Sequence, residues 1–266
     1  MVGLAAFAAS VVLPLIWVLV TSFKTSPEIF ASPWSLPGSL RWENYAKAWA
    51  EAGIARAFGN SLIVTLATLA ILLPVGSMAA YVLARYPFRW SRWVLTAFLG
   101  GMMFPIFLAI VPLFLLLRDL GLLNSLEGLI LVYVAYSLPF TIFVMTGFFH
   151  TLPHELLEAA MIDGCGHVGA FWRVMLPLAR PGLIVVGIFN AIGLWNEYPL
   201  ALVIAVSEEI RTLPLGIANL MMMEHYQSDW GALFAGLVIV MGPVLIVYWA
   251  FRDRIHETMI AGALKG

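Results

Sequence analysis

Long apolar stretches alternate with short polar segments along nearly the whole chain, and the polar segments hold most of the charged residues. Each apolar stretch is long enough for a helix that crosses a membrane, which needs about 20 residues. The alternation predicts an all-α membrane protein with six transmembrane helices. The predicted spans are residues 2–23, 60–86, 93–117, 126–149, 181–206 and 231–251.

The first span lacks the features of a cleaved secretory signal. Such a signal has a basic region and a short apolar core, whereas no charged residue precedes Lys24 and the apolar run is too long. We therefore expect a spanning helix. The missing basic residue is unusual at this position and would fit a translation start upstream of Met1.

The segment 24–56 differs from its neighbours because charged residues, prolines and a glycine are concentrated in it. This composition predicts a water-exposed segment with turns and a short helix near residues 42–52. Asn60 follows it and is expected to cap the second span by accepting a hydrogen bond from an amide of the first turn.

Composition narrows the class further. Hydrophobic residues make up 62% of the 266 residues and charged residues only 11%, against about 25% charged in a typical soluble domain. These values exclude an ordinary soluble enzyme and a disordered chain, and they make membrane lipid an expected contact. The net charge of −1 gives no basic surface for nucleic acid. The single cysteine excludes a disulfide framework.

Basic residues indicate the orientation of the spans. One side of the membrane carries eight of them, and the opposite side carries six, of which four lie in the long segment 24–56 and count for less. We therefore expect both termini to lie in the cytoplasm. The eight are Arg85, Arg89, Arg92, Arg173, Arg180, Arg252, Arg254 and Lys265.

The longest predicted cytoplasmic connection, residues 150–180, contains a short amphipathic helix. Thr151 and Pro153 indicate its start, and Asp163 with Gly164 its end. Helical periodicity places Leu156, Leu157, Ala160 and Met161 on one face and Glu155, Glu158, Ala159 and Ile162 on the other. A helix lying on lipid would carry Lys or Arg on its polar face. An acidic face with an exposed isoleucine fits a protein socket better.

Several residues of this connection resemble a known motif, and their spacing matches it as well. The motif is the EAA loop of binding-protein-dependent ABC importer permeases, which is resembled here by Glu158-Ala159-Ala160, Asp163-Gly164, Leu176-Pro177 and Pro181. Cys165 stands where this family usually has alanine, and we interpret it as a packing residue.

The resemblance extends over nearly the whole chain. The short N-terminus, without extra spans, is similar to the second permease subunit of the maltose system, and not to its larger partner. Motifs similar to those of this carbohydrate branch lie at residues 14–17, 22–24, 44–45, 60–61, 195–197 and 262–266.

The resemblance implies the type I ABC importer fold, with six transmembrane helices and a cytoplasmic coupling helix. It implies a first helix and external segment in residues 1–56 and a core five-helix domain in 57–252. Residues 150–180 would be the coupling loop, and 253–266 a cytoplasmic tail. Such a chain is a multi-pass protein of the bacterial inner membrane that forms half of the path for a sugar or oligosaccharide.

The same resemblance implies the partners and the coupling residues. The partners are a second permease subunit, two cytosolic ATP-binding subunits, an external solute-binding protein and a carbohydrate substrate. ATP and magnesium would bind in the partner subunits, so no cofactor is expected in this chain. Glu158 would bond to the ATPase, Gly164 would allow the sharp turn and Leu176-Pro177 would fix the exit into span five. The expected coupling set is Glu155, Glu158, Ala159, Ala160, Ile162, Asp163, Gly164, Leu176 and Pro177.

Glu197 is the one acid placed well inside a predicted span. An ionisable group there indicates function by default. Its role is either structural, as a hydrogen-bonding group between helices or near a helix end, or that of a group lining the substrate path. Asn196 and Tyr198 flank it and would face the same path.

Other chemistry is not indicated. The chain has no phosphate-binding loop and no hydrolase or metalloprotease motif, so it is not expected to be an enzyme. A secondary transporter driven by an ion gradient is the alternative, but it would need several acids at the membrane midplane. An intramembrane enzyme would need paired acids or a Ser/His pair in the spans. The tryptophans mark membrane interfaces. The run 221–223 of methionines and the loop histidines predict no metal site.

Overall fold

The computed structural model describes residues 1–86, 88–227 and 229–263, with the side chains of all of these except residues 2, 51, 223–227 and 253–263. Helices joined by short loops account for most of this part of the chain. The helices are α1 (Val2–Thr21), α2 (Ser26–Ala31), α3 (Glu43–Ala46), α4 (Ile54–Arg85), α5 (Ser91–Met103), α6 (Ile106–Asp119), α7 (Leu126–Thr151), α8 (Glu155–Ile162), α9 (His167–Ala170), α10 (Leu176–Leu178), α11 (Arg180–Trp195), α12 (Pro199–Ile204), α13 (Leu213–Gln227) and α14 (Trp230–Ala263).

Four helices within the described residues are long and apolar enough to cross a membrane: α1, α4, α7 and α14. Two further pairs of helices are long and apolar enough only when taken together, and each pair is bent at a short break. The total reaches six when each bent pair counts as one span. The predicted all-α architecture with membrane-spanning helices is therefore confirmed. The predicted boundaries need the corrections below.

The third predicted span, residues 93–117, is not a continuous helix. Helix α5 ends at Met103, α6 begins at Ile106, and their axes differ by 99°. Phe104 has extended backbone angles (φ −74°, ψ 123°), since the ring of Pro105 disfavours the helical conformation in the residue before it. Pro105 thus breaks the span, where the sequence predicted only a kink.

The second predicted span begins earlier than expected. Gly53, with a φ of 71°, turns the chain from a short π-helical turn (Lys47–Glu51) directly into α4 at Ile54. Asn60 therefore lies inside α4 and does not cap it. Its side-chain amide donates instead to the carbonyl oxygens of Glu209 and Arg211, at 2.8 and 3.0 Å.

The fifth and sixth spans also differ from prediction. The fifth, residues 181–206, is divided into α11 and α12 by residues 196–198. The stretch His167–Leu178 that precedes α11 meets it at 75°. The sixth helix does not stop at 251, because α14 continues to Ala263. The predicted tail 253–266 is therefore helical as far as 263, while its side chains and the motif at 262–266 lie outside the described residues.

The chain divides into two compact units, and residues 1–62 with 205–247 form the first. In the segment that follows α1, buried polar contacts surround Lys24, which is itself fully buried. The Lys24 ammonium donates to the carbonyl oxygens of Ser32 and Pro33, at 3.2 and 3.0 Å. Asn44 donates to the carbonyl oxygens of Ser22 and Lys24, at 2.8 and 2.9 Å. The motifs at 22–24 and 44–45 thus fix the segment to the end of α1.

A capping box begins α2 in the same unit. The amide of Thr25 donates to Glu28 Oε2 at 2.8 Å, and the amide of Glu28 donates to Thr25 Oγ1 at 3.4 Å. These bonds to the Thr25 backbone and side chain hold the pKa of Glu28 below its ordinary value, because they favour the charged carboxylate. Two unpaired donors at the start of the helix are satisfied in this way.

Residues 63–204 and 248–266 form the second unit. Two glycines allow close helix packing in it, since no Cβ would fit at either position. A Cβ on Gly76 of α4 would lie 2.5 Å from Thr141 Cγ2 of α7, and one on Gly182 of α11 would lie 2.5 Å from the ring of Phe148, also on α7. Helix α7 is therefore in tight contact with both α4 and α11.

Candidate functional site

Helix α8 ends in a glycine-dependent Schellman motif. The amide of Gly164 donates to the Met161 carbonyl at 3.1 Å, and the amide of Cys165 donates to the Ala160 carbonyl at 2.9 Å. Gly164 has a φ of 84°, a left-handed conformation that costs other residues about 1–2 kcal/mol. The predicted stop at Asp163-Gly164 is thus confirmed. The predicted start is wrong, because Thr151 closes α7 and α8 begins at Glu155.

The two faces of α8 differ sharply in exposure. Leu157 and Ala160 are buried in the second unit, whereas the side chain of Ile162 is 85% exposed. Glu155, Glu158 and Ala159 are exposed with Ile162, as periodicity predicted. Leu156 and Met161, predicted to share a face with Leu157 and Ala160, are exposed. Ala160, one of the expected coupling residues, packs inward and does not contribute its side chain to the exposed face.

The remaining expected coupling residues lie around this face or after it. Asp163 is exposed and forms the C-cap of α8. Leu176 is half-buried and Pro177 exposed, both in the short helix α10, just before the 75° bend into α11. His154 Nδ1 lies 3.9 Å from Glu158 Oε1 on the exposed surface, within the distance of an ion pair. The described part of the chain holds no group of three or more metal-binding side chains.

The end of α4 holds the loop that carries α8. Arg85, only 6% exposed, donates from Nη2 to the carbonyl oxygen of Leu152 at 2.5 Å. Leu152 follows the last residue of α7 and leads into α8. The next residue, Tyr86, bonds through its hydroxyl to His167 Nδ1 at 2.7 Å. Two consecutive residues, the last residue of α4 and the one directly after it, therefore hold the loop both before and after α8.

Aromatic packing reinforces these hydrogen bonds. The ring of Tyr81 lies 5.6 Å from Phe149 and 5.2 Å from Phe171, and its hydroxyl is 3.1 Å from that of Tyr86. These residues belong to one buried cluster that also contains Leu157 and Ala160 of α8. Helix α8 is consequently packed on the same core as the ends of α4 and α7, so a displacement of α8 would be transmitted to both.

The break between α11 and α12 is organised by Glu197. Its carboxylate accepts bonds from the amides of Leu200 (2.8 Å) and Ala201 (3.1 Å), the first turn of α12. It also accepts a bond of 2.5 Å from the hydroxyl of Tyr133, a buried residue of α7. These three bonds give Glu197 a structural role as a helix cap and a link to α7. Asn196 is exposed, with its amide bonded to the Ile192 carbonyl (2.8 Å), and Tyr198 is half-buried.

Sequence reasoning missed Arg85, Tyr86, His167 and Tyr133 as members of these sites. Arg85 was counted only as a topology signal, yet of Arg85, Arg89 and Arg92 it alone lies inside a predicted span, residues 60–86. That position favours a buried, hydrogen-bonded side chain and was the one available signal. The partner of Glu197 lies 64 residues away in the chain and no sequence pattern pairs them.

A family model described as "Binding-protein-dependent transport system inner membrane component" matches residues 72–256. The chain belongs to this family. The match covers the loop with α8, the break at Glu197 and the second part of α4, from residue 72 onward. As an inner membrane component of a binding-protein-dependent transport system, the chain works with a solute-binding protein, and its likeness to ABC transporters implies a partner ATPase.

Individual relatives align with nearly the whole length of this transport component. It is 47% identical over 255 residues to the diacetylchitobiose uptake system permease protein NgcG of Streptomyces coelicolor. This alignment covers 96% of this chain and 84% of the relative. It is 32% identical to the trehalose transport system permease protein SugB of Mycobacterium tuberculosis, over 96% of this chain and 92% of the relative.

The fold of the transport component is similar to that of a solved importer. A chain in the crystal structure of a bacterial ABC transporter that imports the acidic polysaccharide alginate aligns with a TM-score of 0.81 and 25% sequence identity. The alignment covers 95% of this chain and 93% of the other. The ABC importer fold expected from the sequence is therefore confirmed, and the alternative of a secondary transporter is not favoured.

Proposed function

We propose that this chain is a permease subunit of an ATP-driven importer for a sugar or oligosaccharide. It forms half of the translocation path and couples to a cytosolic ATPase through α8. The observation that carries the proposal is the construction of α8: its exposed face is acidic and ends in the exposed Ile162, and the helix is anchored to the ends of α4 and α7. The relatives that handle diacetylchitobiose and trehalose support the carbohydrate class.

The proposed assembly contains this chain, a second permease subunit, two ATP-binding subunits and an external solute-binding protein. Both termini and α8 lie in the cytoplasm, because the short loops on that side carry most of the basic residues. ATP binds and is hydrolysed in the partner subunits. This chain supplies no catalytic group, and its contribution is a mechanical contact and a path.

The coupling step follows from the contacts of α8. Closure of the ATPase subunits displaces the exposed face of Glu155, Glu158, Ala159 and Ile162, and Glu158 bonds to the ATPase. The Schellman motif at Gly164 keeps the end of α8 in one geometry, so the displacement is not absorbed there. Arg85 and Tyr86 pass it to α4 through Leu152 and His167. Leu176 and Pro177 direct the rest of the loop into α11.

The substrate path is proposed to pass the break between α11 and α12. A non-helical backbone at membrane depth is tolerated where it is buried in protein or lines an aqueous cavity. Asn196 is exposed there and Tyr198 is half-buried, so both can contact a passing hydroxyl group. Glu197 fixes the geometry of the break by capping α12, and in this indirect way it shapes the path.

Purification and uptake test this function. A tag on this chain should recover a complex with a second permease and ATP-binding subunits from the native membrane. In proteoliposomes, the complex should take up a disaccharide only with ATP and the solute-binding protein present. Uptake by this chain alone, driven by a proton or sodium gradient without ATP, would contradict the proposal.

A further inference from the structure

The first unit contains a cavity of about 390 Å³ that none of the sites above uses. Its walls come from two stretches of chain that are distant in sequence, residues 49–57 and 208–219. The volume lies within the range of about 300–1,000 Å³ that is usual for small-molecule sites. In the proposed orientation, both stretches lie on the external side of the membrane.

The walls of this cavity are fixed by hydrogen bonds within the unit. Asn60 on α4 donates to the carbonyl oxygens of Glu209 and Arg211, and the Ser61 hydroxyl accepts a bond of 2.8 Å from the amide of Leu213. A Cβ on Gly216 would lie 3.0 Å from that of Ala57, so α13 packs closely on α4. The cavity is consequently preformed, which lowers the entropic cost of binding a ligand.

The lining combines one aromatic ring with polar groups of both hydrogen-bonding types. Trp49 forms part of the wall, and its ring is held by Phe58 at a centroid distance of 5.7 Å. Arg56 and Asn219 provide N–H donors, while Glu208 provides acceptor oxygens. An aromatic face beside a few convergent polar groups is the usual composition of a site for a small, partly apolar ligand.

The cavity wall holds two arginines and one carboxylate, and the neighbouring Glu209 brings the net charge of this region to zero. Arg211 pairs with Glu208 at 2.8 Å, and Arg56 lies close enough to Glu209 to act on it electrostatically. A site for an anion or a cation would carry an excess of the opposite charge. A neutral set of donors and acceptors instead matches an uncharged ligand with many hydroxyl groups, each of which both donates and accepts.

We propose that this cavity is an external binding subsite for a neutral carbohydrate, with Trp49 covering one face of a sugar ring and Arg56, Glu208 and Asn219 bonding to its hydroxyl groups. The inference rests on the proposed function and on the proposed orientation. The subsite would receive sugar released by the solute-binding protein before the sugar enters the path.

Protection from thiol labelling tests the subsite. Cys165 is the one cysteine of the chain, so Cys165→Ala provides a cysteine-free background in the intact complex. Ala55→Cys then places a thiol in the cavity wall, and Ala31→Cys, at an exposed position at the end of α2, is the matched control. A membrane-impermeant maleimide is applied from the external side, with and without trehalose or diacetylchitobiose.

We expect at least one of these sugars to slow labelling of Ala55→Cys fivefold or more and to leave that of Ala31→Cys unchanged. Adding Trp49→Ala should abolish the protection, whereas Trp34→Ala, at an exposed tryptophan of the same external segment, should not. Absence of protection by both sugars would overturn the subsite. So would protection by the sugar-free solute-binding protein alone, which would make the cavity a protein contact.

The outcome is separable from that of the proposed function. Protection without ATP-dependent uptake would retain the subsite and count against the importer assignment. ATP-dependent uptake of a protecting sugar would support both. Uptake of either sugar without protection would retain the importer and refute the subsite.

Discussion

The guanidinium group of Arg85 donates a hydrogen bond to the carbonyl oxygen of Leu152, 2.5 Å away. The bond joins the last residue of α4 to the first residue after α7, where the chain turns towards α8. A buried cation bonded to a backbone carbonyl holds a chain end at a defined position. Arg85 is therefore the residue through which a movement of α8 reaches α4 most directly.

Arg85→Met should uncouple transport from ATP hydrolysis. The substitution retains much of the apolar stem but removes the donor to Leu152, so α8 would no longer move with α4. We expect ATP-dependent uptake to fall at least tenfold, while the ATPase activity of the purified complex persists. Arg92→Met is the control, because Arg92 is an exposed arginine in the first turn of α5, just after the loop that follows Arg85. Equal uptake by wild type and Arg85→Met would refute this role.

Gly164→Ala should weaken the contact with the ATPase. Alanine at a φ of 84° is disfavoured by about 1–2 kcal/mol, so the end of α8 would adopt other geometries. We expect less ATPase to be recovered with the tagged chain, while the amount of chain in the membrane is unchanged. Gly166→Ala is a matched control, since Gly166 has a φ of −70° and open space at its Cβ position. A similar loss in both variants would point to a general defect of the loop.

Glu158→Lys should cancel the negative charge of the exposed face, since Glu155 remains, without disturbing the fold, because Glu158 is exposed. We expect uptake to fall strongly while insertion and thermal stability are retained. His150→Lys, which adds a positive charge at an exposed position on α7 ahead of this helix, is the control. Normal uptake with Glu158→Lys would remove Glu158 from the coupling contact.

Glu197→Ala should destabilise the protein by about 1–3 kcal/mol, because α12 loses its cap and the buried hydroxyl of Tyr133 loses its acceptor. The midpoint of thermal unfolding in detergent measures this loss. Asn196→Ala should change stability little, since Asn196 is exposed and bonds only within its own helix end. A fall in uptake at unchanged stability for Glu197→Ala would instead indicate direct contact with substrate.

Stability of α2 should depend on pH through Glu28. The folded-state pKa of Glu28 is lower than its ordinary value of 4.5, so the capping box contributes fully above that value and is lost as the pH falls through the folded-state pKa. Hydrogen exchange measures this effect: the protection of the amides of residues 28–31, corrected for the intrinsic exchange rate, should fall as the pH drops below 4.5. Glu28→Gln should flatten the dependence, whereas Glu43→Gln, an exposed carboxylate of the same segment, should leave it unchanged.

Local chemistry made some features predictable from the sequence and left others hidden. Gly164 after Asp163 indicated a helix end because only glycine adopts the left-handed conformation readily. Periodicity likewise predicted the exposed face around Ile162. The start of α8 was misplaced because Thr151 and Pro153 are common at helix starts, yet α7 continues through Thr151, whose hydroxyl donates to the Phe148 carbonyl.

The missed features depend on contacts between distant residues. Asn60 has the residue type of a helix cap, but its partners are carbonyl groups about 150 residues later in the chain. The pairing of Glu197 with Tyr133 and the burial of Lys24 follow from packing in the same way. Pro105 predicted an interruption of the helix. A proline accompanies both kinks and full breaks, however, and the packing of the surrounding helices decides which of the two forms.

The right-angle break at Pro105 has a consequence for the life of the protein in the cell. A helix end leaves most of its last carbonyl groups without a partner in the helix, and at the end of α5 the amide of Phe104 donates to the carbonyl of Gly101. Large apolar side chains around the break, among them Met103, Phe107 and Leu108, are exposed on this chain. Bare polar backbone in hydrocarbon is unfavourable. A copy synthesised without its companion subunits should therefore be short-lived and recognised by membrane quality-control proteases, so balanced synthesis of the subunits would set how many transporters a cell can assemble.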